Sequence, residues 1–158
     1  MIKVEINSDV VSRALVDLSA GLADLTDPMA EIAEVLLAST EDRIERGISP
    51  DGTAFAPRAQ ATLDGYAARK PPVTPKGGPL ITTGTMSSQI ASASGSDFAE
   101  VGSNAVQAAM MNFGGTKSAF PNLWGDIPAR PFIGLSEDDE TAIVETVEDW
   151  LGSLAQDD

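Results

Sequence analysis

Few residues in this sequence have the types and spacing that enzymes use for catalysis. The chain contains no histidine and no cysteine, which excludes thiol nucleophiles, histidine general bases and zinc sites built on either residue. The acidic run at residues 137–140 lacks the pattern of a calcium loop and lies where carboxylates stabilise a helix start. Residues 115–118 lack the glycine spacing of a phosphate loop. We therefore expect no enzymatic activity, no metal and no cofactor.

The net charge of the chain argues against a further class of function. The chain has 158 residues, with 24 acidic against 10 basic side chains and a net charge of −14. Such a surface repels phosphate backbones, so sequence-specific DNA binding is not expected. The length predicts a single domain over residues 1–158. The N-terminus lacks the apolar run of a signal peptide, and no stretch approaches the ~18 apolar residues of a membrane span, so we expect cytoplasmic synthesis and no membrane partner.

Hydrophobic periodicity predicts an α+β fold in which long helices pack on a small antiparallel sheet. Alternating apolar residues predict a strand over residues 2–6, and a helical stripe follows over residues 11–22. The longest helix is predicted to start with Asp27 as its cap and Pro28 at the first helical position, and to end at Gly47. One face of it is predicted to carry an apolar stripe of Met29, Ile32, Ala33, Leu36, Leu37, Thr40 and Ile44.

The second half of the chain is predicted to hold a hairpin and two more helices. Residues 89–94 and 98–101 form its strands, a brief helix covers residues 105–113, and residues 132–135 form an edge strand. Ser136 caps the last helix. Its buried stripe consists of Ile143, Val147, Trp150, Leu151 and Leu154. We expect the sheet to pack against the long helix of the N-terminal half and this C-terminal helix.

Residues 47–79 break the periodicity and are predicted to form a long extended loop. Residues 46–80 hold five basic and two acidic side chains, which reverses the charge balance of the rest of the chain. A loop longer than about 15 residues in a compact domain is usually functional or disordered. This one is either a solvated surface or a surface that a partner orders, and Phe55, Arg69 and Lys70 are its candidate contact residues.

A second group of candidates lies at the end of the short helix. Adjacent apolar residues cannot all face one core, and methionine suits adaptable contact surfaces. Met110, Met111 and Phe113 therefore have two open roles, core packing or contact with a partner. Gly114 and Gly115 supply the turn that shapes the segment.

Arg130 and Phe132 lie in a stiff segment that contains two prolines. The flanking prolines at positions 128 and 131 restrict the backbone around Arg130. This presentation suits either a structural ion pair within the chain or an ion pair with a neighbouring subunit.

Four segments carry a resemblance to a known family. They are residues 50–57 (PDGTAFAP), 80–90 (LITTGTMSSQI), 101–116 (VGSNAVQAAMMNFGGT) and 127–136 (IPARPFIGLS). Together they resemble the phage virion morphogenesis family, the tail-completion proteins of Mu-like phages, over nearly the whole chain. The family usually carries a histidine where Met111 stands and an Arg-Leu pair where Thr85 and Met86 stand.

The resemblance implies a structural virion protein at the head–tail joint, made in the host cytoplasm. It would complete or terminate the tail and enable head–tail joining as a ring of identical subunits, for example a hexamer. Its partners would be itself, the tail tube and neck connector proteins. Genomic DNA would pass through the lumen without specific binding, because acidic helix faces repel it. Charge reversal at Glu145 and Glu148 is then expected to slow DNA ejection and leave assembly intact.

Other functions remain open. Within the same machinery, the protein could be a head-proximal connector or stopper that binds the portal side. From a different class, it could be an assembly chaperone absent from the finished virion. A carboxylate-dependent hydrolase is the enzymatic alternative, although no spacing in the chain points to one.

Overall fold

One long helix organises the computed structural model, which describes Val16, residues 19–123 and residues 125–154. Helix α1 (Thr26–Arg46) has 21 residues. Its apolar stripe has the spacing that the sequence predicted, and five of its buried residues are Ile32, Ala33, Leu36, Thr40 and Ile44. The strand predicted over residues 2–6, and most of the helix predicted over residues 11–22, lie outside the described residues.

The structure confirms the predicted C-terminal end of α1 but not its predicted N-terminal end. At the C-terminal end, Gly47 is left-handed, with φ 70°, and its N–H donates to the Arg43 carbonyl at 2.8 Å, as predicted. At the N-terminal end the predicted Asp27 cap is wrong. The helix begins earlier, and the Asp24 carboxylate accepts from the Thr26 N–H at 3.0 Å. Pro28 then occupies the third helical position, which is tolerated because N–H groups in the first turn lack intrahelical partners.

The hairpin is confirmed. Strands β1 (Ile90–Ser94) and β2 (Ala99–Ser103) pair antiparallel, with Ile90 opposite Ser103. The Gly95 N–H donates to the Phe98 carbonyl at 2.9 Å and closes the turn. Both strands pack against α1, so the α+β fold of the prediction is confirmed.

The last helix starts as predicted but buries a different set of side chains. In α4 (Glu137–Leu154), the Asp139 N–H donates to Ser136 Oγ at 3.1 Å, and the Ser136 N–H donates to Asp139 Oδ2 at 2.8 Å. The five predicted stripe residues are only half-buried. Helix α4 packs on α1. The fully buried residues of α4 are instead Asp139 and Thr146.

A buried ion pair joins α4 to α1. Arg43 Nη1 donates to Asp139 Oδ2 at 2.8 Å, and both side chains are almost completely buried. Burial alone would raise the pKa of Asp139. Hydrogen bonds from Ser39 and Ser136, together with the charge of Arg43, outweigh burial and hold this pKa below its ordinary value.

Residues 47–79 are not one extended loop. They contain helix α2 (Gln60–Ala67), which the prediction missed. None of the eight described residues of α2 is buried, so the helix has no apolar stripe that a periodicity analysis could detect.

The edge strand predicted over residues 132–135 is also wrong. The N–H groups of Phe132 and Ile133 donate to Asn112 Oδ1 at 3.0 and 3.1 Å instead of to a neighbouring strand. Asn112 lies in helix α3 (Ala108–Phe113). The Asn112 side-chain amide therefore accepts the backbone hydrogen bonds that a neighbouring strand would accept in a sheet.

The apolar core joins α1, β1 and α3 to the irregular segments. Its buried members are Ile44, Phe55, Leu80, Met86, Ile90, Ala105, Ala108 and Phe132. In the described ranges, no helix has the length and apolar character that crossing a membrane requires.

Candidate functional site

Helix α3 and its flanks expose large apolar side chains. Val106 is 100% exposed, Phe113 is 79% exposed and Phe120 is 49% exposed. We call these three residues the α3 patch. Phe113 lies in α3, whereas Val106 precedes the helix and Phe120 follows it. Single exposed apolar residues are common on protein surfaces, but three of them between positions 106 and 120 favour a contact surface.

The two methionines of α3 are less exposed than the residues of this patch. Met111 packs against the core cluster, and Met110 is half-buried. Of the sequence candidates in this helix, Phe113 is therefore the one that is free to contact a partner through most of its side chain.

Two glycines hold the end of α3 against the proline-containing segment. Gly114 has φ 71°, and a Cβ atom added there would lie 2.7 Å from the backbone nitrogen of Ala129. A Cβ on Gly115 would lie 2.6 Å from Met110 Sδ. The Gly115 N–H donates to the Ile127 carbonyl at 2.9 Å, and the reciprocal bond measures 2.8 Å. The predicted turn thus also needs glycine for close approach of the backbone.

Arg130 bonds within its own chain, to backbone carbonyls instead of the acidic side chain of a structural ion pair, and an ion pair with a neighbouring subunit stays a prediction. Its side chain is buried, with Nε donating to the Ala56 carbonyl at 2.7 Å and Nη2 to the Pro57 carbonyl at 2.9 Å. Burial lowers the pKa of this guanidinium, and the nearby charge of Arg58 lowers it further. Arginine suits this role because its fork can bond two carbonyls at once.

Phe132 and Phe55, two other contact candidates, are core residues. Phe132 is 0% exposed and Phe55 is 7% exposed. Both belong to the same apolar cluster as Ile44 of α1. They stabilise one subunit and do not lie on its surface.

Arg58 has an organising role that sequence reasoning missed. Its guanidinium donates to the carbonyls of Gly77 (3.1 Å), Gly78 and Ile81 (2.7 Å). These partners lie 19 to 23 residues away along the chain. No local pattern predicts such a contact, because an arginine in a basic loop looks the same whether it faces solvent or its own backbone.

Arg69 and Lys70, in contrast, are exposed as the sequence suggested. The Arg69 guanidinium lies 5.6 Å from the centre of the Tyr66 ring, within cation–π range. The Tyr66 hydroxyl lies 3.1 Å from Thr82 Oγ1, which connects α2 to the chain beyond the loop. These two basic side chains remain available for contact.

A cavity of about 440 Å³ lies between α2 and residues 123 and 125–130. Its lining includes Tyr66, Pro79, Met111 and Ile127. Arg58 and Arg130 also line the cavity, and both donate hydrogen bonds to backbone carbonyls. Met111, which stands where the resembled family usually has histidine, lines this cavity with an unreactive thioether.

Comparison with known proteins agrees with the resemblance seen in the sequence. The profile of the phage virion morphogenesis family matches residues 6–152. The putative capsid assembly protein G of Escherichia phage Mu is 32% identical over 139 residues, covering 87% of this chain and 85% of that protein. The Mu-like prophage FluMu G protein 2 of Haemophilus influenzae is 29% identical over 155 residues, covering 98% of this chain and 99% of that protein.

No solved structure gives a significant match to this chain. The family match nevertheless extends across α1, the hairpin, α3 and most of α4. The chain therefore belongs to the phage virion morphogenesis family.

Proposed function

We propose that this protein is a structural component of the phage virion that acts at the head–tail joint, completing or terminating the tail and enabling it to join the head. Membership of the virion morphogenesis family supports a role in particle assembly. The position in the particle and the ring arrangement go beyond that membership. The absence of histidine and cysteine from the sequence favours an assembly role over an enzymatic one.

The α3 patch is the observation that carries this proposal. Its three apolar side chains expose surface that water solvates poorly, and a protein partner would cover it. Phe113 and Phe120 flank the bridge between Gly115 and Ile127, which orders the backbone between them. A surface that is already ordered loses less conformational entropy on binding.

A ring of identical subunits suits this protein, and a hexamer is one such arrangement. Closed cyclic assemblies place the same patch at every subunit, so one patch can contact the tail tube or a neck connector all around the axis. With a net charge of −14 per chain, the lumen of such a ring repels DNA, and the genome passes without specific binding.

Electron microscopy of a stop-codon mutant tests the proposal. Lysates of the parent phage with an early stop in this gene, with and without the gene supplied in trans, are examined by negative stain. Filled heads beside detached or abnormally long tails are expected without the gene, and joined particles with it. Normal infectious particles without the gene would refute the proposal.

Variants of exposed residues test the α3 patch itself. Phe113→Asp places a charge in the patch, whereas Leu135→Asp makes the same change at another exposed position, 53% exposed. We expect Phe113→Asp to fail in complementation and Leu135→Asp to succeed. Equal complementation by both variants would remove the patch from the proposal.

The name of the Mu relative, a putative capsid assembly protein, favours a second candidate. In that case the protein is a head-proximal connector or stopper, or an assembly chaperone that leaves before the virion is finished. Mass spectrometry of purified virions separates these roles, because a chaperone is absent from them and a connector or tail protein is present.

A further inference from the structure

Helix α2 buries little surface against the rest of its chain, although Tyr66 contacts Thr82. None of its eight described residues is buried, and Tyr66 is the one that is half-buried. Leu63 is 38% exposed. Isolated helices of this length are unstable in water, and most helices gain stability by packing one face against another element. An exposed face of α2 is therefore available for a partner.

Basic side chains follow α2 along the chain. Arg69, Lys70 and Lys76 are exposed, whereas Asp64 is the single acidic residue between positions 58 and 76. We call α2 together with these three basic residues the basic α2 surface. In a chain with 24 acidic and 10 basic residues, this local excess of positive charge is unusual and favours an acidic partner.

The outer face of α4 has the complementary character. Glu140, Val144 and Glu148 follow one another at a spacing of four residues, and Glu145 lies beside them. All four are exposed, with Val144 at 55%, and α4 contains no basic residue. We call these four residues the acidic α4 face. It combines one exposed apolar side chain with carboxylates, as the basic α2 surface combines Leu63 with basic side chains.

We propose that the basic α2 surface of one subunit binds the acidic α4 face of the next copy of this chain. Two highly acidic subunits repel each other unless the few basic residues lie at their contact. The two surfaces are different, so the contact is head-to-tail, which is the type that closes into a ring. This inference rests on the proposed ring and assigns Glu145 and Glu148 to the subunit contact instead of the lumen wall.

Charge reversal with rescue tests the contact in the stop-codon strain. Glu145→Lys with Glu148→Lys, or Arg69→Glu with Lys70→Glu, puts like charges opposite each other at every contact in the ring. Each pair is expected to lower the yield of infectious particles by at least about a hundredfold. Combining all four substitutions restores opposite charges, so the yield should recover by about tenfold or more over either pair.

A matched control separates the contact from net charge. Glu41→Lys with Glu45→Lys makes the same charge change as the Glu145 and Glu148 pair, but at exposed positions of α1. It should complement like the wild type. Circular dichroism checks that each variant folds. Complementation by both reversed pairs would overturn the contact while leaving the proposed function intact.

Two further outcomes would also overturn the contact. If only the Arg69 and Lys70 pair fails and the four-fold variant does not recover, the basic α2 surface binds a different acidic protein. If the Glu145 and Glu148 pair assembles normally but ejects DNA slowly, the acidic α4 face lines the lumen. Normal particles from the uncomplemented stop-codon strain would overturn both the contact and the proposed function.

Discussion

Two regions of this molecule are ordered by different interactions. In the helix–hairpin body, which consists of α1, β1, β2 and α4, backbone groups pair within helices and strands, and apolar side chains of α1 are buried. In the stapled region, which consists of residues 47–58, 77–84, 111–123 and 125–135, side chains bond directly to distant backbone. Arg58, Arg130 and Asn112 make these bonds.

The difference shows how an irregular segment becomes ordered without a sheet or helix. A regular element spreads its stability over many small contacts, so removing one contact costs little. The stapled region concentrates stability in a few polar side chains, and each one bonds two or more backbone groups. The helix–hairpin body also contains one such polar interaction, the buried ion pair between Arg43 and Asp139.

Breaking that ion pair should have the largest effect on stability. Asp139→Asn leaves the buried charge of Arg43 without a counter-charge, and we expect the free energy of unfolding to fall by about 3–5 kcal/mol. Chemical denaturation measures the loss. Asp138→Asn, at an exposed neighbouring position, should change stability little. Similar losses in the two variants would show that helix charge, and not the buried pair, matters.

The same pair predicts a pH dependence with a defined sign. The folded pKa of Asp139 lies below its ordinary value of 3.8. Its carboxylate therefore stabilises the fold above that value, and this contribution is lost as pH falls through the folded pKa. The stability difference between the wild type and the D139N variant should narrow below pH 3.8. A difference that stays constant with pH would contradict this account.

The next largest effect is expected in the stapled region, at Gly114. Gly114→Ala combines a left-handed backbone with a clash at the Ala129 nitrogen, and should cost roughly 3 kcal/mol. Gly84 also has positive φ, 90°, but has open space around it. Gly84→Ala should therefore cost only about 1 kcal/mol.

A third glycine completes this comparison. Gly152 lies inside α4, also with open space around it, so Gly152→Ala should stabilise the helix by about 0.5–1 kcal/mol. Thermal unfolding of the three variants gives the ranking. Equal losses at Gly114 and Gly84 would show that the close approach to Ala129 contributes nothing.

Removal of the Arg130 staple should have a smaller but clear effect. Arg130→Met keeps most of the side-chain volume and removes the donors to the Ala56 and Pro57 carbonyls, at an expected cost of about 2 kcal/mol. Hydrogen exchange should increase at residues 54–58. Arg69→Met, an exposed change of the same chemistry, is the control. Unchanged exchange at these residues would mean that Arg130 does not order them.

The smallest effect is expected at the helix cap. Ser136→Ala removes the acceptor for the Asp139 N–H and should cost about 1 kcal/mol. Urea unfolding resolves a change of this size. Ser136→Thr keeps an acceptor and should recover most of the loss, whereas equal loss in both variants would indicate that packing, and not capping, sets the effect.

Sequence patterns predicted the body better than the stapled region. The stripe of α1, the Gly47 cap, the hairpin and the Ser136 cap all depend on residues within a few positions of one another. Helix α2 was missed because it buries nothing, and the strand over residues 132–135 was wrong because extended apolar residues have the same pattern whether or not a strand pairs with them.

The candidate contact residues were also only partly predictable from sequence. Phe113, Arg69 and Lys70 lie on the surface, as a contact role requires, whereas Phe55, Arg130 and Phe132 are buried within the chain. Residue type alone does not separate these two groups. A phenylalanine or arginine in an irregular segment serves equally well in a core, in a staple or in an interface.

The sequence by itself determined the family, the charge of the surface and the helices and turns whose signals are local. Only the tertiary structure decided which polar side chains hold irregular backbone and which apolar side chains remain exposed. The physical reason is distance along the chain. Caps and periodic stripes act over about four residues, whereas Arg130 bonds a carbonyl 74 positions away, and no local pattern specifies such a partner.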